Sequence, residues 1–420
     1  MKVAVIGAGF SGLTAAYYLS QKGHSVFVFE KESELGGLGG SFKNNNWEWS
    51  LERYYHHFFS SDKEVLELAK ELEIENKLFF KIPKSSIFVD GNIYRFDNPR
   101  SVLSFSKLNL ADKVKTGIVS AFLKINPFWK PLEKITAEKF IRTFMGEGSF
   151  NTLWKPLLES KFGGDYHQIP ASWFWTRVKK RSFSLGYFEG GNQILINKLA
   201  ENIKNNKGRI FLNTEIKNLN DLNHFNNSDK IFVTAPAQVF LKITPDLPES
   251  YKNKIQNLKM IGCLNLVLSL KDKFLADNTY WLNINEPGFP FIAVVEHTNF
   301  IDPKHYGGEH LVYVGGYYPQ NHRYFKMKKE DILKEFLPYL KKINPNFKFQ
   351  ISNFKLFSDL YAQPIPTLNY SQTSLPSIKT PIPNLFWTSL HHVYPYDRGV
   401  NYAIKLGREV ADDIIKKTKK

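Results

Sequence analysis

The first chemically informative pattern is a glycine motif near the start of the chain. Gly7, Gly9 and Gly12 have the spacing G-x-G-x-x-G, after an apolar run and before a helical pattern. In such motifs the first glycine permits a tight turn, the second lets the backbone approach a pyrophosphate, and the third lets a helix pack closely on a strand. The start of the helix attracts the phosphates. Glu30, 18 residues after Gly12, can accept hydrogen bonds from a ribose, so this segment predicts dinucleotide binding.

A second glycine loop follows at residues 36–40, with the sequence Gly36-Gly37-Leu38-Gly39-Gly40. It comes directly after the strand that ends at Glu30. A nicotinamide dinucleotide does not need such a loop, whereas the longer ribityl section of FAD could lie along it. We therefore predict FAD as the cofactor.

Several polar side chains stand among aromatic residues and could orient a substrate. His56 and His57 lie inside the aromatic run 54–59, Glu296 ends a predicted strand, and His391-His392 precede the last helix. Histidine can hold hydrogen bonds or move a proton near neutral pH. We predict His57, Glu296 and His56 as catalytic residues; the alternative, that each is a structural hydrogen-bonding group, stays open.

The predicted pocket is apolar and aromatic. The run 54–59 follows the second glycine loop closely, and Trp281, Phe289 and Phe291 precede Glu296 on or beside predicted strands. Large rings exclude water, which suits a site that transfers hydride.

Arg398 stands directly before the last predicted helix. A guanidinium there suits a pyrophosphate or a flavin carbonyl. The alternative is a salt bridge with its neighbour Asp397.

Metal and disulfide chemistry find little support in the sequence. Cys263 is the single cysteine, which excludes an intramolecular disulfide and a Cys-rich zinc site and fits a reducing compartment. The histidines do not have the spacing H-E-x-x-H. We predict no metal site.

Composition narrows the class of protein and its partners. The 420 residues are 43% hydrophobic and 23% charged, which indicates a folded chain of about two domains. The formal charge of +16 is spread along the chain, apart from the run 179–181 and the tail 416–420. No nucleic-acid recognition motif accompanies this charge, so we expect no nucleic-acid partner.

We expect a cytoplasmic protein, because no apolar run is long enough to span a membrane. Peripheral contact with the inner face of a membrane, suggested by the Lys- and Phe-rich stretch 103–144, stays an alternative, and the oligomeric state is open.

The elements around these motifs favour an α/β fold. Lys2–Ile6 and Ser25–Phe29 have the pattern of buried parallel strands, with a helix predicted over residues 13–21 between them. Residues 98–181 look mostly helical, and residues 237–378 look mostly like antiparallel strands with one helix at Lys329–Ile343. A last helix is predicted over residues 401–417. Segments of the dinucleotide-binding type recur before, between and after the helical and antiparallel segments, so the domains should be discontinuous in sequence.

Together these segments resemble the flavin amine oxidase superfamily, which includes protoporphyrinogen oxidases, phytoene desaturases and monoamine oxidases. The matching features are residues 3–30, the loop 36–40, Gly190-Gly191 before a helix, a segment at 211–219, and a C-terminal glycine followed by a helix. The resemblance implies a doubly wound, Rossmann-like FAD-binding domain interleaved with an α+β substrate domain. The predicted segments are 1–80, 186–238 and 384–420 for the FAD-binding domain, 81–97 and 239–383 for the substrate sheet, and 98–185 for a helical subdomain.

The resemblance also implies roles for individual residues. The pyrophosphate would lie against Gly7, Gly9, Ser11 and Gly12, and the adenosine ribose against Glu30. The ribityl section would run along Gly37, Leu38 and Gly40. The adenine would contact the backbone of Ile216, and the flavin ring would contact Gly399 and Val400 beside Arg398. Cys263 is far along the chain from the C-terminal flavin segment, so FAD should be bound non-covalently.

The chain departs from the family pattern at two places. Leu38 stands where the family often has arginine, and Thr388-Ser389-Leu390 replaces the usual Ala-Gly-acid sequence. The segment 394–403 is closer to the protoporphyrinogen-oxidase-like branch and is also similar to UDP-galactopyranose mutase. The expected function is an FAD-dependent oxidoreductase that oxidises or desaturates a small hydrophobic or cyclic substrate. A non-redox flavoenzyme acting on a nucleotide sugar and a membrane-associated FAD-containing binding protein are the alternatives.

Overall fold

The computed structural model describes residues 1–225, 228–348 and 350–416. Residues 417–420, which include most of the basic tail and the end of the predicted last helix, lie outside the described residues, as do 226–227 and 349 within the predicted domain segments. The domain boundaries themselves stay a prediction.

The strands belong to four sheets. In chain order they are β1 Lys2–Ile6, β2 Ser25–Phe29, β3 Ser41–Phe42, β4 Leu51–Glu52, β5 Phe58–Phe59, β6 Leu78–Lys81, β7 Lys84–Val89, β8 Asn92–Arg95, β9 Leu185–Phe188, β10 Arg209–Phe211, β11 Lys230–Val233, β12 Met260–Leu270, β13 Thr279–Ile284, β14 Ala293–Glu296, β15 His310–Tyr318, β16 Ile351–Pro364 and β17 Leu385–Trp387.

The α-helices alternate with strands near both ends of the chain and cluster in its second quarter. They are α1 Phe10–Gln21, α2 Lys63–Glu71, α3 Pro99–Ser104, α4 Leu110–Ile125, α5 Ala137–Met145, α6 Glu147–Ser149, α7 Lys155–Phe162, α8 Ala171–Lys180, α9 Gln193–Asn205, α10 Ala237–Ile243, α11 Glu249–Gln256, α12 Lys329–Ile343, α13 Tyr370–Thr373 and α14 Val400–Lys416.

A five-stranded parallel sheet has the order β10-β2-β1-β11-β17. Alternate side chains of β1 point to opposite faces of the sheet. Val3 and Val5 pack with α1, α9 and α14, whereas Ala4 and Ile6 pack with α10 and α11. Both faces are thus covered by helices, which explains why β1 and β2 are nearly continuous apolar runs. The predicted doubly wound α/β fold is confirmed.

The second large sheet has the order β16-β12-β15-β14-β13-β7-β8. The pair β13–β7 is parallel and the other neighbours are antiparallel, so the sheet is mixed. Residues 237–378 were predicted to be mostly antiparallel strands, but β16 was not recognised within them. This strand lies at an edge, is largely part-exposed and pairs with register shifts, so its sequence lacks a regular alternation.

The helical region α3–α8 has its own aromatic core. Phe140, Phe150, Phe162, Trp173 and Phe174 are at most 6% exposed and pack together. Within the described ranges, none of the helices combines the length and the apolar character that crossing a membrane requires.

Close packing of α14 on α1 joins the end of the chain to its beginning. A Cβ atom at Gly407 would lie 2.3 Å from the carbonyl oxygen of Ser11, so only glycine allows this approach. Ile404, one turn earlier in α14, is fully buried in the same core as Leu13.

We expect Ile404→Ala to lower the free energy of unfolding by about 2–5 kcal/mol, because it removes buried methyl groups and leaves a cavity. Urea unfolding followed by circular dichroism measures the loss. Ile118→Ala is the matched control: Ile118 is 65% exposed, so the change should stay within about 0.5 kcal/mol. Equal effects of the two substitutions would contradict the assigned core.

Candidate functional site

The first glycine loop has room for a ligand at one position only. Gly7 has a φ of 97°, and a Cβ there would lie 2.4 Å from Thr234 Oγ1. A Cβ at Gly12 would lie 2.0 Å from the carbonyl oxygen of Gly7. At Gly9, in contrast, the nearest atom is the oxygen of Gly36 at 4.0 Å. Gly7 and Gly12 therefore serve the fold, while Gly9 borders open space.

Helix α1 begins beside this space without a capping side chain. Gly9 is its N-cap residue, and no acidic residue lies in the first turn. The N–H groups at a helix start and its positive dipole end favour a phosphate. Ser11, in the first turn, has its hydroxyl 3.4 Å from that of Thr388 at the end of β17.

Glu30 is buried and braces the glycine loop. Its carboxylate accepts hydrogen bonds from the N–H groups of Ala8 at 2.8 Å and Glu32 at 3.0 Å. A carboxylate has about four acceptor positions, so two remain for the hydroxyl groups of a ribose.

The second glycine loop packs directly on the first. The N–H of Gly36 donates to the carbonyl of Ala8 at 2.9 Å, and Gly9 and Gly36 pair as an isolated parallel bridge. Gly36 and Gly37 have positive φ angles of 110° and 55°. Gly37–Gly39 form a 3₁₀ turn in which Leu38 is half-buried, and Gly40 follows in extended conformation.

The start of α14 completes this group of segments. A Cβ at Gly39 would lie 3.7 Å from Val400 Cγ2, so the second loop touches the first residue of α14. Gly399 precedes Val400 and has no heavy atom within 4 Å of an added Cβ. The starts of α1 and α14 and the second glycine loop thus lie close together, with open space next to Gly9 and next to Gly399, which fits a dinucleotide with an extended middle section. FAD fits this set of residues.

Ile216 lies at the edge of the same domain. Its side chain is 6% exposed and packs with Phe27 and Phe29. Its backbone N–H and C=O have no hydrogen-bond partner among residues 1–225, 228–348 and 350–416. The predicted backbone contact with adenine stays a prediction that this placement allows.

A cleft opens next to the start of α14. Its open volume is about 1150 Å³, counting the part continuous with solvent. The mixed sheet contributes Trp281, Asn283 and Tyr317, the helical region contributes residues of α7 and α8, and the chain segments 55–62 and 397–402 contribute the rest. Gly399 and Val400 line this cleft, and Val400 also lies next to Gly39 of the second glycine loop.

His56 and His57 both line the cleft. His57 Nδ1 lies 3.4 Å from the hydroxyl of Tyr280, and its ring lies edge-on to Trp281. His56 Nδ1 lies 2.5 Å from the carbonyl oxygen of Tyr54, which it donates to. Burial lowers the pKa of His57 to about 3 and that of His56 to about 4. Both rings are neutral at pH 7.

Five cationic side chains and two carboxylates line the cleft. Asp397 accepts hydrogen bonds from Lys161 at 2.9 Å and Arg177 at 2.8 Å. Burial by itself raises the pKa of Asp397, but the two cations outweigh it and hold that pKa below its usual range. Burial lowers the pKa of Lys161, and the ion pair with Asp397 opposes this fall.

The other cations of the cleft differ in how they are held. Arg398 donates from Nε to Gln363 at 3.1 Å and from Nη2 to the Tyr317 hydroxyl, and Asp397 pairs with Lys161 and Arg177 rather than with the Arg398 side chain. The Arg181 guanidinium has neither a hydrogen bond nor an ion pair within the described part of the chain. Burial, followed by Arg177, lowers its pKa to about 9, so it is charged at pH 7.

The sequence singled out the run 179–181 only as surface charge and gave Lys161 and Arg177 no role. A usable signal was present: Arg177 and Arg181 are four residues apart at the end of an aromatic helix, so they share a face.

Glu296 lies outside the cleft, which corrects its expected position. Its carboxylate is fully buried and accepts the N–H groups of Phe274 at 3.1 Å and Leu275 at 2.5 Å. Burial raises its pKa to about 7. Phe289 and Phe291 also point elsewhere, since they pack with one another and with Tyr339 of α12. Trp281 is the aromatic residue of this group that lines the cleft.

His391 and His392 have structural partners. His391 Nδ1 lies 2.6 Å from the Tyr370 hydroxyl, and His392 Nε2 lies 3.1 Å from the Pro376 oxygen. Among the described residues no three His, Cys, Asp or Glu side chains form a group that could hold a metal ion.

Cys263 lies nearer to the C-terminal segment than its position in the sequence suggested. It pairs in register with Tyr317, whose hydroxyl accepts from Arg398. The thiol is buried, is not part of the cleft lining, and burial raises its pKa to about 12. A protonated, enclosed thiol is a poor nucleophile, which supports non-covalent cofactor binding.

We expect Gly9→Val to fold and to lose FAD. Its branched side chain would enter the open space at the start of α1 without meeting protein atoms. The measurement is flavin absorbance near ~450 nm per mole of purified protein. Gly117→Val is the control, since Gly117 also has open space around an added Cβ but lies in α4. Stoichiometric flavin in Gly9→Val would show that the cofactor binds elsewhere.

We expect Glu296→Gln to lower the free energy of unfolding by about 1–3 kcal/mol, because its amide group cannot accept both backbone N–H groups and a buried donor loses its partner. Flavin content should stay at the wild-type level. Chemical unfolding and absorbance measure the two quantities, with the exposed Glu330→Gln as control. Loss of flavin without loss of stability would contradict the structural role assigned here to Glu296.

Curated relatives align with parts of the chain. The 15-cis-phytoene desaturase of Synechococcus elongatus is 40% identical over 103 residues, which is 24% of this chain and 21% of that enzyme. The matched region thus spans about a fifth of the relative's length.

Solved structures match over nearly the whole chain. Reduced UDP-galactopyranose mutase has a TM-score of 0.75 at 15% identity and covers 99% of this chain and 95% of its own. Cyclohexylamine oxidase from Brevibacterium oxydans has a TM-score of 0.73 at 14% identity and covers 100% and 99%. At these identities the likeness concerns the fold. Residues 10–415 match the family described as flavin containing amine oxidoreductase, and the chain belongs to that family.

Proposed function

We propose that the protein is an FAD-dependent oxidoreductase that oxidises or desaturates a small hydrophobic or cyclic substrate. The observation that carries this proposal is that Val400, which lines the cleft, lies next to Gly39 of the second glycine loop. Bound FAD supplies an acceptor for a hydride. Family membership supports a flavin; FAD in particular and its non-covalent binding are parts of the proposal.

The chain's own residues supply binding, orientation and a dry surface. Gly9 and the start of α1 would hold the pyrophosphate, Glu30 the ribose, and Gly37, Leu38 and Gly40 the ribityl section. The backbone of Ile216 would contact the adenine, and Gly399, Val400 and Arg398 the flavin ring. Aromatic residues of the cleft, among them Tyr55, Phe59 and Trp281, exclude water from the reacting atoms.

His57 is the proposed orienting residue of the substrate site. Its neutral ring offers one nitrogen to Tyr280 and leaves the other for a substrate group. Such a residue affects the rate by placing the reacting bond correctly.

The cationic lining favours a second candidate, a non-redox flavoenzyme acting on a nucleotide sugar. The cleft has three more positive than negative side chains, and the Arg181 guanidinium has no hydrogen-bond or ion-pair partner within the described residues. A guanidinium binds phosphate oxygens in a two-pronged geometry. The aromatic surfaces favour the oxidoreductase, and the unpaired charge favours the mutase.

Anaerobic absorbance distinguishes the two activities. For the oxidoreductase, an oxidisable probe such as phytoene or cyclohexylamine should bleach the flavin band near ~450 nm, and His57→Ala should slow the bleaching at least ~10-fold, about 1.4 kcal/mol of barrier. For the mutase, UDP-galactopyranose should cause no bleaching and should be converted only after reduction with dithionite.

Substitution of a charged residue of the cleft gives a further test of the mutase activity. Arg181→Ala should weaken UDP binding, measured by quenching of tryptophan fluorescence, by at least about tenfold. Arg209→Ala should not, because Arg209 is exposed like Arg181 but lies outside the cleft lining. Unchanged UDP affinity in Arg181→Ala would remove the support for the mutase. A colourless protein that cannot be reconstituted with FAD would contradict both candidates.

A further inference from the structure

Helix α4 presents apolar side chains to solvent. Leu110, Val114, Ile118, Phe122 and Ile125 are between 48% and 76% exposed. Their spacing of four, four, four and three residues places them on one stripe of the helix. Isolated exposed apolar residues are common, but a contiguous apolar surface of this kind marks a binding face.

The inward side of α4 confirms that this stripe points away from the protein. Asp112, Thr116 and Leu123 are the buried residues of the helix. At about 100° per residue, the exposed apolar stripe is centred about 160° from these buried positions. The helix therefore turns its most apolar side outward and packs inward partly through polar groups, such as the bond of 2.6 Å between Thr116 and Ser149.

Two further apolar residues lie near the end of this helix. Phe128, just after α4, is 71% exposed, and Phe183, just after α8, is 68% exposed. The two helix ends are tied together, because Lys124 Nζ donates to the Arg181 oxygen at 2.5 Å and Trp175 Nε1 to the Asn126 oxygen at 2.8 Å. We call Leu110, Val114, Ile118, Phe122, Ile125, Phe128 and Phe183 the α4 face.

The chain around α4 is rich in lysine. Between residues 103 and 130 the sequence has five lysines and a single acid, Asp112, which is buried. Lys115 lies on one side of the stripe, about 80° from its centre. Lys113 and Lys124 lie on the other side, where their ammonium groups donate to the carbonyl oxygens of Leu103 and Arg181. Apolar residues flanked by lysines fit a bilayer surface with anionic headgroups, where the rings enter the interface and the ammonium groups meet phosphates.

We propose that the α4 face docks the protein peripherally on an anionic lipid bilayer. The mode is interfacial, with the helix lying in the plane of the headgroups. Because Lys180 and Arg181 at the end of α8 line the cleft, docking would hold that end of the cleft close to the lipid surface. The proposal stands on the exposed face and its lysines and does not depend on the activity of the cleft.

Vesicle flotation tests this docking with the purified, flavin-loaded full chain. We expect binding to vesicles of phosphatidylcholine mixed with phosphatidylglycerol and much weaker binding to phosphatidylcholine alone. The double substitution Ile118→Glu/Ile125→Glu should abolish binding, and Lys115→Gln/Lys130→Gln should weaken binding to the anionic vesicles by about fivefold for each lysine. High salt should reduce the binding of the wild type.

The matched control is Leu360→Glu/Leu368→Glu, which changes two part-exposed leucines outside the α4 face and should leave flotation unchanged. Flavin absorbance and the unfolding midpoint verify that each variant is folded. Absence of flotation by the folded wild type would overturn the proposal. So would a dimer, detected by light scattering, that Ile118→Glu/Ile125→Glu dissociates, because the face would then bind a second copy of the chain.

Discussion

The structure depends on very close backbone contact between the beginning and the end of the chain. Gly12 and Gly407 allow α1 to approach both its own glycine turn and α14, at distances where an added Cβ would meet a carbonyl oxygen at 2.0–2.3 Å. The second glycine loop hydrogen bonds to Ala8 and touches Val400. Glycine is required at these contacts for steric reasons, whereas at Gly9 it leaves space for a ligand. One set of small residues thus builds the fold, and another shapes the site.

Electrostatics in the cleft follow from burial. Lys161 and Arg177 are held by Asp397, and burying such ions costs free energy that their mutual attraction only partly offsets. The arrangement fixes two cations beside Arg398, whose guanidinium is itself held by Tyr317 and Gln363. Arg181 enters the same space without a carboxylate partner among the described residues. The cleft is therefore apolar in much of its wall and positive in its charge, a combination suited to a ligand with a ring system and an anionic group.

The helical region has two different surfaces on neighbouring helices. Helix α8 turns Arg177 and Lys180 to the cleft, while α4 turns its apolar stripe to solvent. Hydrogen bonds between the ends of these helices make the two surfaces parts of one rigid unit. A contact on the α4 face would consequently fix the orientation of the cleft as well.

Local sequence patterns were sufficient for the first thirty residues of the chain. The motif Gly7–Gly12, the strands Lys2–Ile6 and Ser25–Phe29 and the acid Glu30 lie within thirty residues, so their geometry is set by turns and helix starts that neighbouring residues determine. The helix Lys329–Ile343 and the hairpin turn at Asp90-Gly91, whose φ angles are both positive, could be predicted for the same reason.

Only the tertiary structure decided which side chains of the other segments line the cleft and which are enclosed in the core. Glu296 and Trp281 lie on adjacent strands of one sheet, yet the first is enclosed by backbone N–H groups and the second lines the cleft. The strand Ile351–Pro364 exists because β12 offers it an edge, not because its own pattern demands it. Lys161, Arg177 and Asp397 are separated by up to 236 residues. Their meeting depends on how α7, α8 and the start of α14 pack, which no local periodicity encodes.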